Sequence, residues 1–218
     1  MEDTNRAIAI CAICGIIAPI LYLLMVIIGG ALSPGYSHIS DTVSELLVSG
    51  APNKAILNTL LISEYFLAIM FAIGLHHGIS EGAGSKVGPA FLIIAAVLGI
   101  FTIIFPQDPG GTPITFAGTL HVVLLIPMVV LSLAAFPAFC RRLRNDILWL
   151  GYDRYSLITL IVAIPLGIIS AVSLESSYIG LLERISAAVV LQWSFVMAIK
   201  LFRLSKQRDR GPGIKVIS

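Results

Sequence analysis

The polar residues of this chain concentrate in the stretch SPGYSHISDTVSELLVSGAP, residues 33–52, which holds one histidine and two carboxylates. Histidine and carboxylate side chains are groups that bind divalent metals such as zinc, or that act as general acid and base. His38 and Asp41 are three residues apart, so they share a face if a helix begins early in the stretch. The candidates for chemistry or ligand binding here are His38, Ser40, Asp41 and Glu45.

A second polar stretch, FPQDPGGTPITFAGTLH, spans residues 105–121. Asp108 lies in its Pro- and Gly-rich turn, where it either serves a site or only caps the turn. His121 lies about one to two helical turns into the apolar segment that follows. Because an ionisable group inside a membrane is costly, it is a functional candidate by default, with Asp108 or Asp41 as its expected partner. We interpret one set of four residues as candidate catalytic groups and candidate metal ligands: His38, Asp41, Asp108 and His121.

Three more candidates lie in or beside apolar segments. Arg184 can hold a phosphate through two parallel hydrogen bonds, whereas Glu183 next to it is also favoured simply by the dipole at a helix start. Glu64 lies about two turns into an apolar segment, where a carboxyl group is costly unless it is neutral or paired. We expect Glu64 to face the protein interior, either as a proton-binding group or as a hydrogen-bond partner of a neighbouring helix.

The elements that must position these residues are membrane helices. The chain is 57% hydrophobic and only 12% charged, against about 25% charged residues in soluble domains. Its mean hydropathy is +0.97. A helix needs about 20 apolar residues to cross a bilayer, and six segments qualify. They are residues 7–30, 57–76, 87–106, 116–138, 155–174 and 182–203.

These segments predict an all-α, polytopic membrane protein in which six transmembrane helices form three in–out–in hairpins. We treat residues 1–218 as one transmembrane domain that ends in a basic tail, residues 204–218. Thr42 and Glu45 have the spacing of a capping box, which predicts a short interfacial helix in the first outer loop. Cys11 and Cys14 form a CxxC inside the first apolar segment, and we interpret them as packing residues.

The basic residues predict the orientation. If the N-terminus is cytoplasmic, only Lys54 and Arg184 of the 14 basic residues fall on the outer side. Such an asymmetry predicts a multi-pass protein of the cell membrane with both termini in the cytoplasm. The basic tail then faces anionic lipid headgroups, and we expect no nucleic-acid partner.

The motif YSHISDTVSELL, followed by FPQD and by His121, resembles a family of six-span archaeal and bacterial membrane proteins known only as a domain of unknown function. Its ISDT core, Ile39 to Thr42, is similar to the outer loop of eukaryotic DRAM-type six-span proteins. The prokaryotic resemblance covers nearly the whole chain. It implies six helices and an outward polar site, and it implies no activity.

Three functions fit these residues. The first is a protein that binds lipid headgroups in an outer polar pocket or acts as a membrane scaffold, with lipids, other membrane proteins or a second copy of the chain as partners. The second is an embedded, metal-dependent lipid hydrolase or transferase in which Arg184 holds the phosphate. The third is a small proton-coupled transporter with Glu64 and Gln192 near the midplane. The HExxH motif of zinc hydrolases is absent from the sequence.

Overall fold

The computed structural model describes residues 2–80 and 86–209. Regular structure in these residues is entirely helical. The six long helices are α1 (Glu2–Leu32), α2 (Lys54–Gly78), α3 (Val87–Ile104), α4 (Phe116–Leu143), α5 (Tyr152–Val172) and α6 (Ile179–Asp209). By length and composition all six can cross a membrane, which confirms the predicted fold class.

The helix boundaries follow the predicted segments, but α1 and α6 extend further. α1 begins at Glu2 and α6 continues to Asp209, because a helix does not stop where the apolar run that identifies it stops. The first part of the predicted basic tail therefore belongs to α6. Residues 210–218 of that tail lie outside the described residues.

The six helices form a closed ring. Each helix packs against the next one along the chain, α6 returns to α1, and α2 also contacts α6 across the ring. One end of the bundle carries the start of α1, the ends of α2 and α4 and the end of α6, and we call it the terminal end. The other, the loop end, carries the three connections at residues 33–53, 105–115 and 173–178.

Each end of the bundle has its own apolar core. The terminal-end core joins α1, α2, α4 and α6 around Trp193, Phe136 and Phe139. Close helix contacts support it: a Cβ added to Gly74 would lie 2.5 Å from the Cβ of Cys11, so the small residue allows α1 and α2 to approach. Cys11 is thus a packing residue, as predicted. The loop-end core is smaller and joins α1, α2 and α3 with the first loop through Met25, Leu57 and Leu46.

The predicted short helix of the first loop is a single 3₁₀ turn, Ser44–Leu47. Glu45 accepts a hydrogen bond from the Thr42 backbone N–H at 2.9 Å, as the capping-box spacing predicts. The hydroxyl of Thr42 is buried and has no partner among the described residues, so only half of the box forms. Leu46 is 1% exposed and joins the loop-end core, which ties the turn to the helices beneath it.

Candidate functional site

The first loop is bonded to the start of α6. The Leu181 N–H donates to the Ile39 carbonyl at 3.0 Å, and the Val43 N–H donates to the Glu183 carboxylate at 2.7 Å. A guanidinium N–H of Arg184 donates to the Asp41 carbonyl at 2.9 Å. We call these three bonds the loop–α6 contact. Glu183 and Arg184 therefore both hold the backbone of the loop.

The ISDT residues also shape the loop from within. The Asp41 carboxylate accepts from the Ser37 backbone N–H at 2.7 Å and from the Ser40 hydroxyl at 2.8 Å. The Tyr36 hydroxyl donates to the Thr42 carbonyl at 2.7 Å. These bonds fix a loop that has no regular structure before residue 44, because its backbone groups find partners within the loop and on α6.

Arg184 keeps unused hydrogen-bond donors at the loop end. Of its five N–H groups, two donate to the carbonyls of Asp41 and Gly180, and one donates to the Tyr36 hydroxyl. Two N–H groups are left without an acceptor within the described residues, and the one on Nε is buried. The salt bridge that the described residues form joins Arg144 to Asp153 at the terminal end, so Arg184 has no carboxylate in direct contact.

Tyr36 orients this guanidinium. The guanidinium carbon of Arg184 lies 5.6 Å from the centre of the Tyr36 ring, in the range of a cation–π contact. Burial raises the pKa of Tyr36 to about 12, although Arg184 acts in the opposite direction. Tyr36 is therefore a neutral phenol near pH 7, able to accept from Arg184 and to donate to the loop backbone.

An apolar groove begins at Arg184 and runs between α1 and α6. Its volume is about 250 Å³. It is lined by Tyr22, Leu23 and Val26 of α1 and by Arg184, Ile185, Ala188 and Leu191 of α6. Arg184 is the charged residue in this lining, and the other side chains are aliphatic apart from Tyr22. A groove of this composition suits a hydrocarbon chain that carries a negative group at one end.

A second cavity, which we call the loop cavity, lies within the first loop and has Tyr36 in its lining. Its volume is about 290 Å³. Its lining consists of Ser33, Pro34, Gly35, Tyr36, Asp41, Glu45, Val48, Ala51 and Pro52. Burial raises the pKa of Glu45, and the hydrogen bond that it accepts from the Thr42 N–H lowers this pKa by a smaller amount. The two carboxylates make the polar part of this wall acidic.

His121 is buried between α3, α4 and the first loop. Its Nδ1 lies 3.1 Å from the Thr102 carbonyl and 3.0 Å from the Phe105 carbonyl. Because carbonyls only accept, Nδ1 carries a hydrogen, and Nε2 can then accept from the Ser44 hydroxyl at 3.4 Å. The prediction that Asp108 or Asp41 would be its partner is wrong. His121 instead binds the last carbonyls of α3 and the 3₁₀ turn.

Asp108 caps the start of α4. Its carboxylate accepts from the Thr115 backbone N–H at 2.8 Å and from the Thr115 hydroxyl at 2.7 Å. These bonds lower the pKa of Asp108, because they favour its charged form. A Cβ added to Gly118 would lie 2.0 Å from the Asp108 carboxylate, so the small residue leaves room for this contact.

His38 is exposed, and its ring lies against Gly30 and edge-on to Tyr36 at 5.3 Å between ring centres. His38, Asp41, Asp108 and His121 thus each have separate local partners. Within residues 2–80 and 86–209, no three His, Cys, Asp or Glu side chains are grouped as metal ligands would be. Metal binding and catalysis by these four residues stay predictions.

Glu64 faces the protein interior, as predicted. It is 8% exposed, and no hydrogen bond or ion pair joins it to another described residue. Its electrostatic neighbours are the hydroxyls of Tyr22 and Tyr65. The transporter hypothesis placed Gln192 with Glu64 near the midplane. Gln192 is exposed and accepts a hydrogen bond from the Tyr155 hydroxyl at 2.6 Å, and it makes no bond with Glu64.

Sequence reasoning missed two features of this site. Tyr36 stands in the polar stretch that was singled out, yet its role depends on Arg184, which is 148 residues away. Gly180 was not singled out either, although a Cβ there would lie 2.3 Å from the Asp41 carbonyl oxygen. A glycine in the first turn of a helix, where glycine is unfavourable, was the signal available.

The terminal end holds a second polar cluster that was not predicted. Arg142, which is 5% exposed, donates to the carbonyls of His76, Ile79 and Ser80 at the end of α2. Asp146 accepts from the Ser80 N–H at 2.8 Å, and the Trp149 indole donates to the Gly78 carbonyl at 3.3 Å. We call these bonds the α2 end cap, because they provide partners for groups that a helix end leaves free.

Comparison of the chain with protein families gives one match, over residues 16–200, to a family described as protein of unknown function, DUF998. No curated protein and no solved structure matches the chain. The family match agrees with the resemblance drawn from YSHISDTVSELL, FPQD and His121, whereas the similarity to DRAM-type proteins stays a prediction. The match covers most of the chain and all or part of each helix, so the protein belongs to the DUF998 family.

Proposed function

We propose that the protein binds a membrane phospholipid at its loop end, with one acyl chain in the α1–α6 groove and the phosphate on Arg184. The observation that carries this proposal is the position of Arg184. It is a cation without an ion pair among the described residues, and it stands at the polar end of an apolar groove.

The chemistry of a phosphate fits the unused donors of Arg184. Two of its N–H groups lack an acceptor within the described residues, and phosphate oxygens accept parallel hydrogen bonds from guanidinium. The bonds to Asp41 and Gly180 and the contact with Tyr36 hold the guanidinium in place before a ligand arrives. Binding then costs little side-chain entropy.

The groove fits an acyl chain because its walls are almost wholly hydrocarbon. Inside a bilayer a lipid chain gains little from leaving other lipid, so selectivity for this groove must come from close packing and from the charged end. The predicted orientation supports a lipid of the outer leaflet. All basic residues except Lys54 and Arg184 belong to the terminal-end half of the bundle or to the tail after α6, which favours a cytoplasmic terminal end.

The proposal is tested by measuring bound phospholipid per chain with native mass spectrometry after purification in mild detergent. Arg184→Gln should weaken phospholipid binding about tenfold or more, because a hydrogen bond to a charged group contributes about 1.5–3 kcal/mol. Ala188→Trp fills the groove from α6 without touching Arg184, and it should also release the lipid. Ala171→Trp, at an exposed position on α5 outside the groove, is the matched control and should bind as the wild type does.

The two groove variants separate binding from folding, since Ala188→Trp leaves the loop–α6 contact intact. If Ala188→Trp and Arg184→Gln both retain the phospholipid of the wild-type protein, the groove is not the binding site and the proposal is wrong. Equal loss in Ala171→Trp would show that the tryptophan acts by disturbing the bundle, and it would equally count against the groove.

A further inference from the structure

Hydrogen bonds from Arg184 link the lining of the groove to the lining of the loop cavity. Tyr36 and Asp41 line the loop cavity, while the Tyr36 hydroxyl and the Asp41 carbonyl both accept hydrogen bonds from Arg184, which lines the groove. Two residues that line the loop cavity thus contact the guanidinium on which we place the phosphate. The loop cavity is therefore the space that we consider for the headgroup on the far side of the phosphate.

Negative side chains outnumber positive ones around Arg184. Glu183 and Glu45 both interact electrostatically with Arg184, and Asp41 interacts with Glu45, so three carboxylates and one guanidinium are coupled in this part of the loop end. A phosphate adds another negative charge to this group. Such a ligand binds better if it also brings a positive charge to the carboxylate side, because like charges at short range repel each other.

We propose, on the basis of the phospholipid site proposed above, that its ligand is a phospholipid with a primary amine in the headgroup, and that the ammonium group occupies the loop cavity against Asp41 and Glu45. This names the class of lipid that the site selects. An ethanolamine-type headgroup has two carbon atoms between the phosphate oxygen and the amine, and Tyr36, which contacts Arg184, also lines the loop cavity.

The cavity wall suits a primary amine better than a quaternary one. An ammonium group has N–H donors for the carboxylate oxygens of Asp41 and Glu45, whereas a trimethylammonium group has none. Proteins recognise quaternary amines with cages of aromatic rings, and Tyr36 is the one aromatic residue in this lining. The face of Tyr36 also already carries Arg184.

Glu45 is the residue that best separates this inference from the phosphate site. Its carboxylate lines the loop cavity and makes no bond to Arg184 in the described structure, while its bond from the Thr42 N–H can also be accepted by a glutamine amide oxygen. Glu45→Gln therefore removes the charge and keeps the shape of the loop. Glu175→Gln, at an exposed carboxylate in the third connection of the same end, is the matched control.

The experiment uses the full-length protein, stripped of lipid, and measures its affinity for three phospholipids with the same acyl chains and ethanolamine, choline or glycerol headgroups. The wild-type protein and Glu175→Gln should bind the ethanolamine lipid about tenfold more tightly than the glycerol lipid, a difference of one charge contact. Choline should fall between them. In Glu45→Gln the preference for ethanolamine over glycerol should disappear, while affinity for the glycerol lipid is kept or improved.

The outcomes separate the two proposals. If the wild-type protein binds all three lipids equally and Ala188→Trp abolishes binding of all three, the phospholipid site stands and the amine preference is wrong. If no lipid binds, both proposals are wrong. An ethanolamine preference that Glu45→Gln leaves unchanged also overturns the inference, because the amine then lies elsewhere.

Discussion

Each end of the bundle has an arginine that donates hydrogen bonds to backbone carbonyls, but the two arginines differ in how many donors remain for a ligand. At the terminal end, Arg142 is buried at 5% exposure and gives its N–H groups to three carbonyls of the α2 end cap. At the loop end, Arg184 also donates to carbonyls, yet it lines the α1–α6 groove and keeps two N–H groups without acceptors in the described chain. Arg142 thus completes the end of a helix, whereas Arg184 keeps donors with which it can bind a ligand.

The role of each arginine therefore depends on how many of its N–H donors already have acceptors, more than on its charge. The α2 end cap lies beside a large aromatic core, where space for a ligand is filled by Trp149 and Phe139. The loop–α6 contact lies beside the smaller core of Met25 and Leu46, which does not extend to α6. The gap left there is the α1–α6 groove.

The largest effect of a substitution on stability is expected at the α2 end cap. Arg142→Met should lower the free energy of unfolding by about 3 kcal/mol, because several buried carbonyls lose their donor. Thermal unfolding in detergent measures it. Arg141→Met, at the exposed neighbour on the same helix, should leave the unfolding midpoint nearly unchanged. Equal effects of the two substitutions would contradict the structural role of Arg142.

A smaller effect is expected at the loop–α6 contact. Gly180→Ala places a Cβ 2.3 Å from the Asp41 carbonyl oxygen and 2.8 Å from a guanidinium nitrogen of Arg184, so the loop must shift. It should cost about 1–3 kcal/mol of stability and weaken phospholipid binding as well. Gly167→Ala, whose Cβ meets open space on α5, should be neutral or stabilising by about 0.5–1 kcal/mol.

The binding measurement decides how Gly180→Ala is understood. If stability falls while lipid affinity stays at the wild-type value, the loop–α6 contact is purely structural, and the two ends of the bundle differ less than we propose.

The smallest effect is expected at Asp108, which caps α4 at the loop end. Since hydrogen bonds lower its pKa, its contribution to stability is fully present above the ordinary pKa of aspartate and is lost as the pH falls through the lowered value. Asp108→Asn should therefore reduce the unfolding midpoint slightly at neutral pH and flatten its decline in acid. A pH profile of thermal unfolding, with Glu175→Gln as control, tests this. A variant whose acid profile matches the wild type would show that the cap contributes nothing.

The helices could be predicted from sequence because apolar length alone sets what can cross a membrane. The bond between Thr42 and Glu45 could also be predicted, since a capping box has a fixed local spacing. Glu64 was placed correctly for a similar reason: a carboxyl group within an apolar segment has to face the protein rather than lipid. In each case the deciding interaction lies within one element.

The contacts between elements could not be predicted. Arg184 and Glu183 were recognised as candidates, but their bonds to Asp41 and Val43 join residues about 140 positions apart. No periodicity encodes such a pairing. The partner of His121 was missed for the same reason: carbonyl groups of α3 carry no side-chain signature, so a sequence offers only the nearby carboxylates as partners.

The closure of the ring by α6 has a consequence for the order of assembly. During synthesis the first loop emerges early, yet the Val43 N–H and the Ile39 carbonyl find their partners only on α6, the last of these six helices to be made. Until then these backbone groups stay hydrated, and the loop is held only by the bonds within it. The loop end therefore gains Arg184 and the α1–α6 groove only when α6 packs against the other five helices, so a chain that stops before α6 has made five of the six helices but lacks the proposed phosphate site.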